Sequence, residues 1–191
     1  MRLFVALNLP AEVRAAIHAA AEPMRRALPS GVAWAPVDKL HVTLQFLGDV
    51  DPSAIAPLRE AVYGGGRRSN PLQLMATSLG AFPDMRRPRV LWAGIVANPA
   101  LSVLYQTLTD ATARLGFQLE ARPYHPHVTL GRVRVGARID ERVLETVVGA
   151  ASFEIVAEVG SVDLMESAIG PGGARYRLVA SGPLGNLATE V

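Results

Sequence analysis

The stretch Leu40-His41-Val42-Thr43-Leu44-Gln45-Phe46-Leu47-Gly48 has a partner further along the chain, Pro126-His127-Val128-Thr129-Leu130-Gly131-Arg132. Both contain His-Val-Thr-Leu, and the chain holds only four histidines and no cysteine. Residues two apart on an extended strand point to one face. His41 and Thr43 therefore share a face, as do His127 and Thr129. Val42, Leu44, Val128 and Leu130 turn the other way, into a core. Two His-x-Thr pairs on two strands are what a pseudo-symmetric two-histidine site looks like before folding.

The copies lie 86 residues apart, and the same shift lays Phe4–Leu9 over Val90–Ile95. Outward from the first copy, Leu3–Leu9 reads as a strand. Pro10 then suits the first turn of a helix over Ala11–Leu28, with Pro23 set to kink or split it. Pro29–Lys39 reads as a loop and Leu40–Leu47 as a strand. Asp51-Pro52 caps a short helix striped by Ile55, Leu58 and Val62, the run Gly64–Arg68 reads as a turn, and Leu72–Leu79 as a strand. The second half repeats the order. It has a strand over Val90–Val96, the cap Asn98-Pro99, and a helix ended by Gly116. A strand follows over His127–Val133, then a helix over Ile139–Val148 and strands over Phe153–Leu164 and Arg175–Val179. The tail after Gly182 is expected to be poorly ordered.

Strand–helix–strand–helix–strand, twice, predicts an α+β fold. Two pseudo-symmetric lobes, each a mainly antiparallel sheet with helices outside, should flank a central cleft. The repeats span about 1–80 and 88–185 of one domain covering 1–191, with an interlobe linker near Gly80–Pro88. Each half alone offers a thin core, so the halves are expected to fold as one unit.

Composition narrows the class. A hydrophobic fraction of 50% over 191 residues suffices for a sizeable core, yet the longest apolar run, near Val90–Ala97, is too short to span a bilayer. The segment after Met1-Arg2 does not read as a secretory signal, so a cytoplasmic monomer without membrane contact is expected. Absence of cysteine excludes disulfides and thiolate metal sites. Lys39 is the only lysine beside many arginines, whose planar fork matches phosphate.

Imidazole titrates near pH ~6.5, so at neutral pH one histidine can accept a proton while another donates one. Two across a cleft can serve opposite sides of one phosphorus. One activates water and the other protonates the departing oxygen, each transfer contributing about 10²–10⁴ in rate. Threonine hydroxyls on the same face can donate to the non-bridging oxygens. This arrangement requires no metal or other cofactor.

These residues are similar to those of a known family. The chain resembles the two-histidine phosphoesterases, and within them the RNA 2′,3′-cyclic phosphodiesterases, also called 2′-5′ RNA ligases. The likeness rests on both motif stretches and on Leu3–Pro10, Gly80–Pro83, Pro88–Trp92 and Arg122–Arg132. Leu164 and Ser167, followed by Gly172 and Tyr176, add to it. The resemblance implies hydrolysis of RNA 2′,3′-cyclic phosphate ends to 2′-phosphate ends, with 2′-5′ ligation as a secondary activity. It implies His41 as proton donor and His127 as proton acceptor, with Thr43 and Thr129 holding phosphate oxygens. The substrates it implies are RNA ends carrying the cyclic phosphate, tRNA fragments among them, or small cyclic nucleotides. One departure is Gly131, where the family commonly has alanine.

The resemblance also favours phosphate contact for Arg132, although plain alternation puts it on the face opposite His127, so that role needs a twist or bulge. Trp34, Tyr124 and His125 are further candidate substrate contacts, Trp34 by stacking on a base. Phe46 reads as core or rim packing, and His18 as a solvated helix residue. Arg86, Arg87 and Arg89 fall in the linker, where they could follow an RNA backbone or simply be solvated. Three other readings stand beside this one. They are a metal-dependent hydrolase, an RNA-end-binding or joining module with incidental hydrolysis, and a related enzyme for small cyclic nucleotides or 2′-5′ oligonucleotides. The chain lacks His-Glu-x-x-His, which weighs against the first.

Overall fold

Alternation along the strands sorts the sheet into two faces. Leu3, Val5 and Leu7, Val42 and Leu44, Leu91 and Ala93, and Val128 and Leu130 all join one buried apolar cluster. The helices supply the other side of that cluster through residues such as Ile17, Met24, Leu58, Leu104, Leu108 and Leu144. The computed structural model describes residues 1–118, 120, 122–170 and 173–185. Gly172 and the tail from 186 to 191 lie outside the described residues.

In chain order the elements are β1 (Arg2–Asn8), α1 (Ala11–Ala20), α2 (Glu22–Ala27), β2 (Val32–Trp34), β3 (His41–Asp49), α3 (Ile55–Arg67), β4 (Leu72–Phe82) and β5 (Val90–Ile95). They continue with α4 (Pro99–Arg114), β6 (His127–Val133), α5 (Glu141–Ala150), β7 (Ile155–Val159), β8 (Ser161–Gly170) and β9 (Gly173–Pro183). The caps behave as their residue types require. Asn98 accepts from the Leu101 N–H, and Asp140 accepts from the N–H groups of Arg142 and Val143. Pro23 splits the first helix into α1 and α2 at Ala21.

The sheet runs β7-β4-β5-β6-β3-β1-β8-β9, with β2 added to β6. It is α+β with antiparallel pairing throughout, in two four-stranded halves joined where Val42 faces Val128. Seven steps of about 4.8 Å would hold the ends of such a path about 34 Å apart if it were flat. Yet Gly160 alone separates β7 from β8, so the sheet bends round on itself.

Several local expectations change. The halves of the sheet are not the halves of the sequence, because β4 pairs with β5 and β7, while β8 pairs with β1. Each repeat therefore lends its last strands to the other's sheet. Gly80–Pro88 is no interlobe linker, since it ends β4 and turns back into β5 within one half. The expected strand over Phe153–Leu164 is two strands, broken at Gly160, that serve opposite halves. The loop 29–39 contains β2, which pairs with β6. The expected turn at Gly64–Arg68 is the last turn of α3. A side chain at Gly66 would come within 2.7 Å of the Gly182 carbonyl oxygen, so the glycine lets helix and strand backbones touch. The final strand extends to Pro183, and Leu184 is buried after it, so order continues past Gly182.

Candidate active site

β3 and β6 sit at the centre of the sheet, and the two motifs meet there. The pair Val42–Val128 fixes the register on the core face. Continued by one residue each way, that antiparallel register sets His41 beside Thr129 and Thr43 beside His127 on the other face. The two histidines are thus diagonal, a relation that puts Cα atoms about 7–8 Å apart in a regular ladder. The ladder does not continue, because β2 takes over as the neighbour of β6 at Gly131. All four motif side chains are half-buried, on the side of the sheet opposite the helices.

Both imidazoles are oriented in the same way. Nδ1 of His41 lies 2.8 Å from the Lys39 carbonyl oxygen, and Nδ1 of His127 lies 2.7 Å from the His125 carbonyl oxygen. A carbonyl only accepts, so each Nδ1 carries the proton and each Nε2 is left for chemistry. Aromatic rings hold the imidazoles laterally. Phe4 and Tyr176 lie 5.1 and 5.3 Å from His41, and Phe82 lies 5.0 Å from His127 in an edge contact. Beside His41, buried Asp163 accepts from Asn8 Nδ2 and Ser181 Oγ, both at 2.6 Å.

Both histidines have pKa values below the ordinary imidazole value. For His41 burial is the largest cause, opposed by the Lys39 carbonyl and reinforced by the charge of His127. For His127 burial again leads, opposed by the His125 carbonyl and reinforced by His125 and Arg132. Each catalytic candidate therefore feels cations nearby, and a proton on one opposes a proton on the other.

Arg132 reaches the histidine face because β6 carries a bulge. Thr129 faces Trp92 and Gly131 faces Leu91, which leaves Leu130 without a partner. The extra residue restores Arg132 to the side of His127 and Thr129. The same bulge occurs in β3 at Leu44, where Thr43 faces Ala6 and Gln45 faces Val5. It brings Phe46, 66% exposed, onto the histidine face as a rim residue.

Two candidate contacts pack against other parts of the protein. Trp34 packs over Gly131 and under the Arg25 guanidinium, 5.6 Å from the ring centre, on the helix side of the sheet. A side chain at Gly131 would meet Val32 at 2.8 Å and Trp34 at 3.0 Å, which accounts for glycine at this position. Tyr124 stacks on Tyr105 at 4.1 Å, and its hydroxyl donates to the Thr43 carbonyl at 3.2 Å. Burial raises its pKa strongly, so the phenol stays neutral and its hydroxyl braces β3. His125 is exposed and packs against Trp92 and Phe82 at 5.1 and 5.4 Å. The indole Nε1 of Trp92 is buried without a partner among the described residues.

Phe4, Phe82 and Tyr176 were not singled out from the sequence as site residues. Their strands β1, β4 and β9 come beside the motifs only through the sheet order, which no local pattern encodes. No group of three or more metal-ligating side chains occurs among the described residues.

Comparison with known proteins places this geometry. The model of the LigT like Phosphoesterase family matches residues 7–92 and 95–176. An RNA 2′,3′-cyclic phosphodiesterase of Geobacillus stearothermophilus is 34% identical over 157 residues, which are 82% of this chain but only 50% of that protein. One of the same name from Methanothermobacter thermautotrophicus is 29% identical over 92% of this chain and 95% of its own length. The crystal structure of E. coli LigT complexed with 3′-AMP is 30% identical, covers 96% of this chain and 97% of that one, and superposes with a TM-score of 0.75.

Proposed function

Because the chain belongs to the LigT-like phosphoesterase family, we propose that it is a phosphodiesterase that opens RNA 2′,3′-cyclic phosphate ends to 2′-phosphate ends. The observation that carries the reading is the matched pair of imidazoles, each with Nδ1 tied to a carbonyl and Nε2 free, on adjoining strands. The names of the Geobacillus and Methanothermobacter relatives support the substrate, and the 3′-AMP complex of E. coli LigT supports nucleotide binding.

His127 is the base in this reading. Arg132, charged at every working pH, disfavours a proton on His127, whereas the cationic neighbour of His41 is His127 itself. Nε2 of neutral His127 takes a proton from water as the water oxygen bonds to phosphorus. Nε2–H of protonated His41 gives its proton to the departing 3′-oxygen as the P–O3′ bond breaks. The product holds phosphate at O2′ and a free 3′-hydroxyl. The pair ends with the proton on the opposite histidine, and exchange with solvent resets it. Thr43, Thr129 and Arg132 bind the non-bridging oxygens, where negative charge grows. His125, backed by Phe82 and Trp92, is the candidate surface for the terminal base.

The reading assigns both sequence repeats, 1–80 and 88–185, to one working unit, a cytoplasmic monomer that uses no metal. Small cyclic nucleotides and tRNA fragments are further substrates for it, and 2′-5′ ligation is the same displacement with an RNA 5′-hydroxyl in place of water. The test is a short RNA ending in a 2′,3′-cyclic phosphate, incubated with enzyme in excess chelator. A 2′-phosphate product at an undiminished rate is expected. A 3′-phosphate product, or a rate that chelator abolishes, would overturn the reading.

A further inference from the structure

We infer that the body of the RNA, the nucleotides 5′ of the reacting end, leaves the site on the His127 side along an arginine-lined groove beyond the end of β6. This rests on the cyclic-phosphate reading above. The groove has a volume of about 650 Å³, and Arg86, Arg87, Arg89, Arg134 and Arg138 line it. All five are exposed. Among the described residues only Arg86 has an ion-pair partner, Glu141 at 3.2 Å. The neighbouring carboxylates are otherwise engaged. Asp84 accepts from the backbone N–H groups of Arg86 and Arg87, and Asp140 caps α5. Four guanidinium groups thus share one hollow without an ion-pair partner among the described residues, an arrangement that favours a polyanion.

The duplication provides an internal control. α3 begins at Ile55 and α5 at Glu141, and the two bulges fall at Leu44 and Leu130, so the 86-residue register holds throughout this region. In the other half, the positions matching Arg87, Arg89, Arg132, Arg134 and Arg138 are Met1, Leu3, Phe46, Gly48 and Pro52. The scaffold therefore needs no cation at any of these places. At these matched positions the cations stand on one side only of a site whose catalytic parts are otherwise symmetric.

The groove also continues from the chemistry. The Val133 N–H donates to the Arg89 carbonyl, and Val90 faces Arg132, so the groove arginines adjoin the strand that carries His127. From His127 to Arg132 is about 13 Å of strand once the bulged residue is discounted. A substrate held at its terminal phosphate must send the rest of its backbone one way. This way offers exposed cations without an ion-pair partner among the described residues for its phosphates. An acidic protein would not need to lie in line with His127.

The test uses the double variant Arg134→Ala/Arg138→Ala and two substrates. These are a nucleoside 2′,3′-cyclic phosphate and a ten-nucleotide RNA with the same end. The variant should hydrolyse the mononucleotide as the wild type does, while KM for the ten-mer rises about tenfold with kcat unchanged. A second arm measures binding of the same RNA with a plain 3′-hydroxyl by fluorescence anisotropy against salt. At a slope of about 0.7 per phosphate contact on a single strand, losing two contacts should lower the wild-type slope by about 1.4. Equal effects on both substrates, or no effect on the ten-mer and the salt slope, would overturn the assignment of the groove. If the wild type hydrolyses neither substrate, the catalytic reading fails instead, and the binding arm alone upholds or overturns the groove.

Discussion

Leu44 and Leu130 are the unpaired residues of two matching bulges, one in each motif strand, 86 positions apart. Each lies three residues past its histidine and turns the following side chains over, so that Phe46 and Arg132 join the histidine face. The two strands are alike through the bulge and differ in what it delivers, an aromatic rim on one side and a cation on the other. That difference makes a symmetric pair of imidazoles chemically unequal.

Arg132→Ala removes the fixed cation that lowers the His127 pKa, so that pKa rises. A base works above its pKa, and the acid limb of kcat/KM should move to higher pH in the variant. Titration of the His127 ring proton by NMR checks the cause directly. An unchanged midpoint would show that Arg132 does not act on His127.

In the wild type, both histidines titrate below the ordinary value of about 6.5. The working form shares one proton between them, with His127 neutral and His41 charged. Its population peaks between the two apparent values of the pair, so kcat/KM should be bell-shaped with its maximum on the acid side of 6.5. A maximum above pH 7 would contradict this.

Thr43→Val and Thr129→Val keep shape and remove a hydroxyl. If each donates to a phosphate oxygen in the transition state, each should lower kcat by about 10² and leave the melting temperature nearly unchanged. Steady-state kinetics with thermal unfolding separates this from a packing role, which would show the reverse pattern.

Tyr124→Phe tests a strut. Losing its hydrogen bond to the Thr43 carbonyl should cost about 0.5–1.5 kcal/mol in denaturant unfolding, with KM for the cyclic phosphate unchanged. A higher KM with unchanged stability would return Tyr124 to the substrate.

The strands and the caps at Asn98 and Asp51 were legible because each depends on residues close in sequence, and the meeting of the two motifs was legible from their repetition. The exchange of β4 and β8 between halves was not, since alternation says which face is buried but not which strand is next door. Arg132 shows the same limit from the other side. Period-two reading turned it away from His127, and one unpaired residue at Leu130 turned it back. In isolation Trp34 reads as a base platform and Tyr124 as a substrate contact. The structure shows Trp34 packed on Gly131 and Arg25 and Tyr124 stacked on Tyr105, contacts that no local pattern encodes.

The division of labour between His41 and His127 is tested most directly with an aryl phosphodiester whose nitrophenolate leaves without needing a proton. His41→Ala and His127→Ala should each cut hydrolysis of the RNA cyclic phosphate by about 10²–10⁴. On the nitrophenyl ester, His41→Ala should recover most of the wild-type rate while His127→Ala remains impaired. Recovery by His127→Ala instead, or near-full activity of either variant on the RNA substrate, would contradict the account.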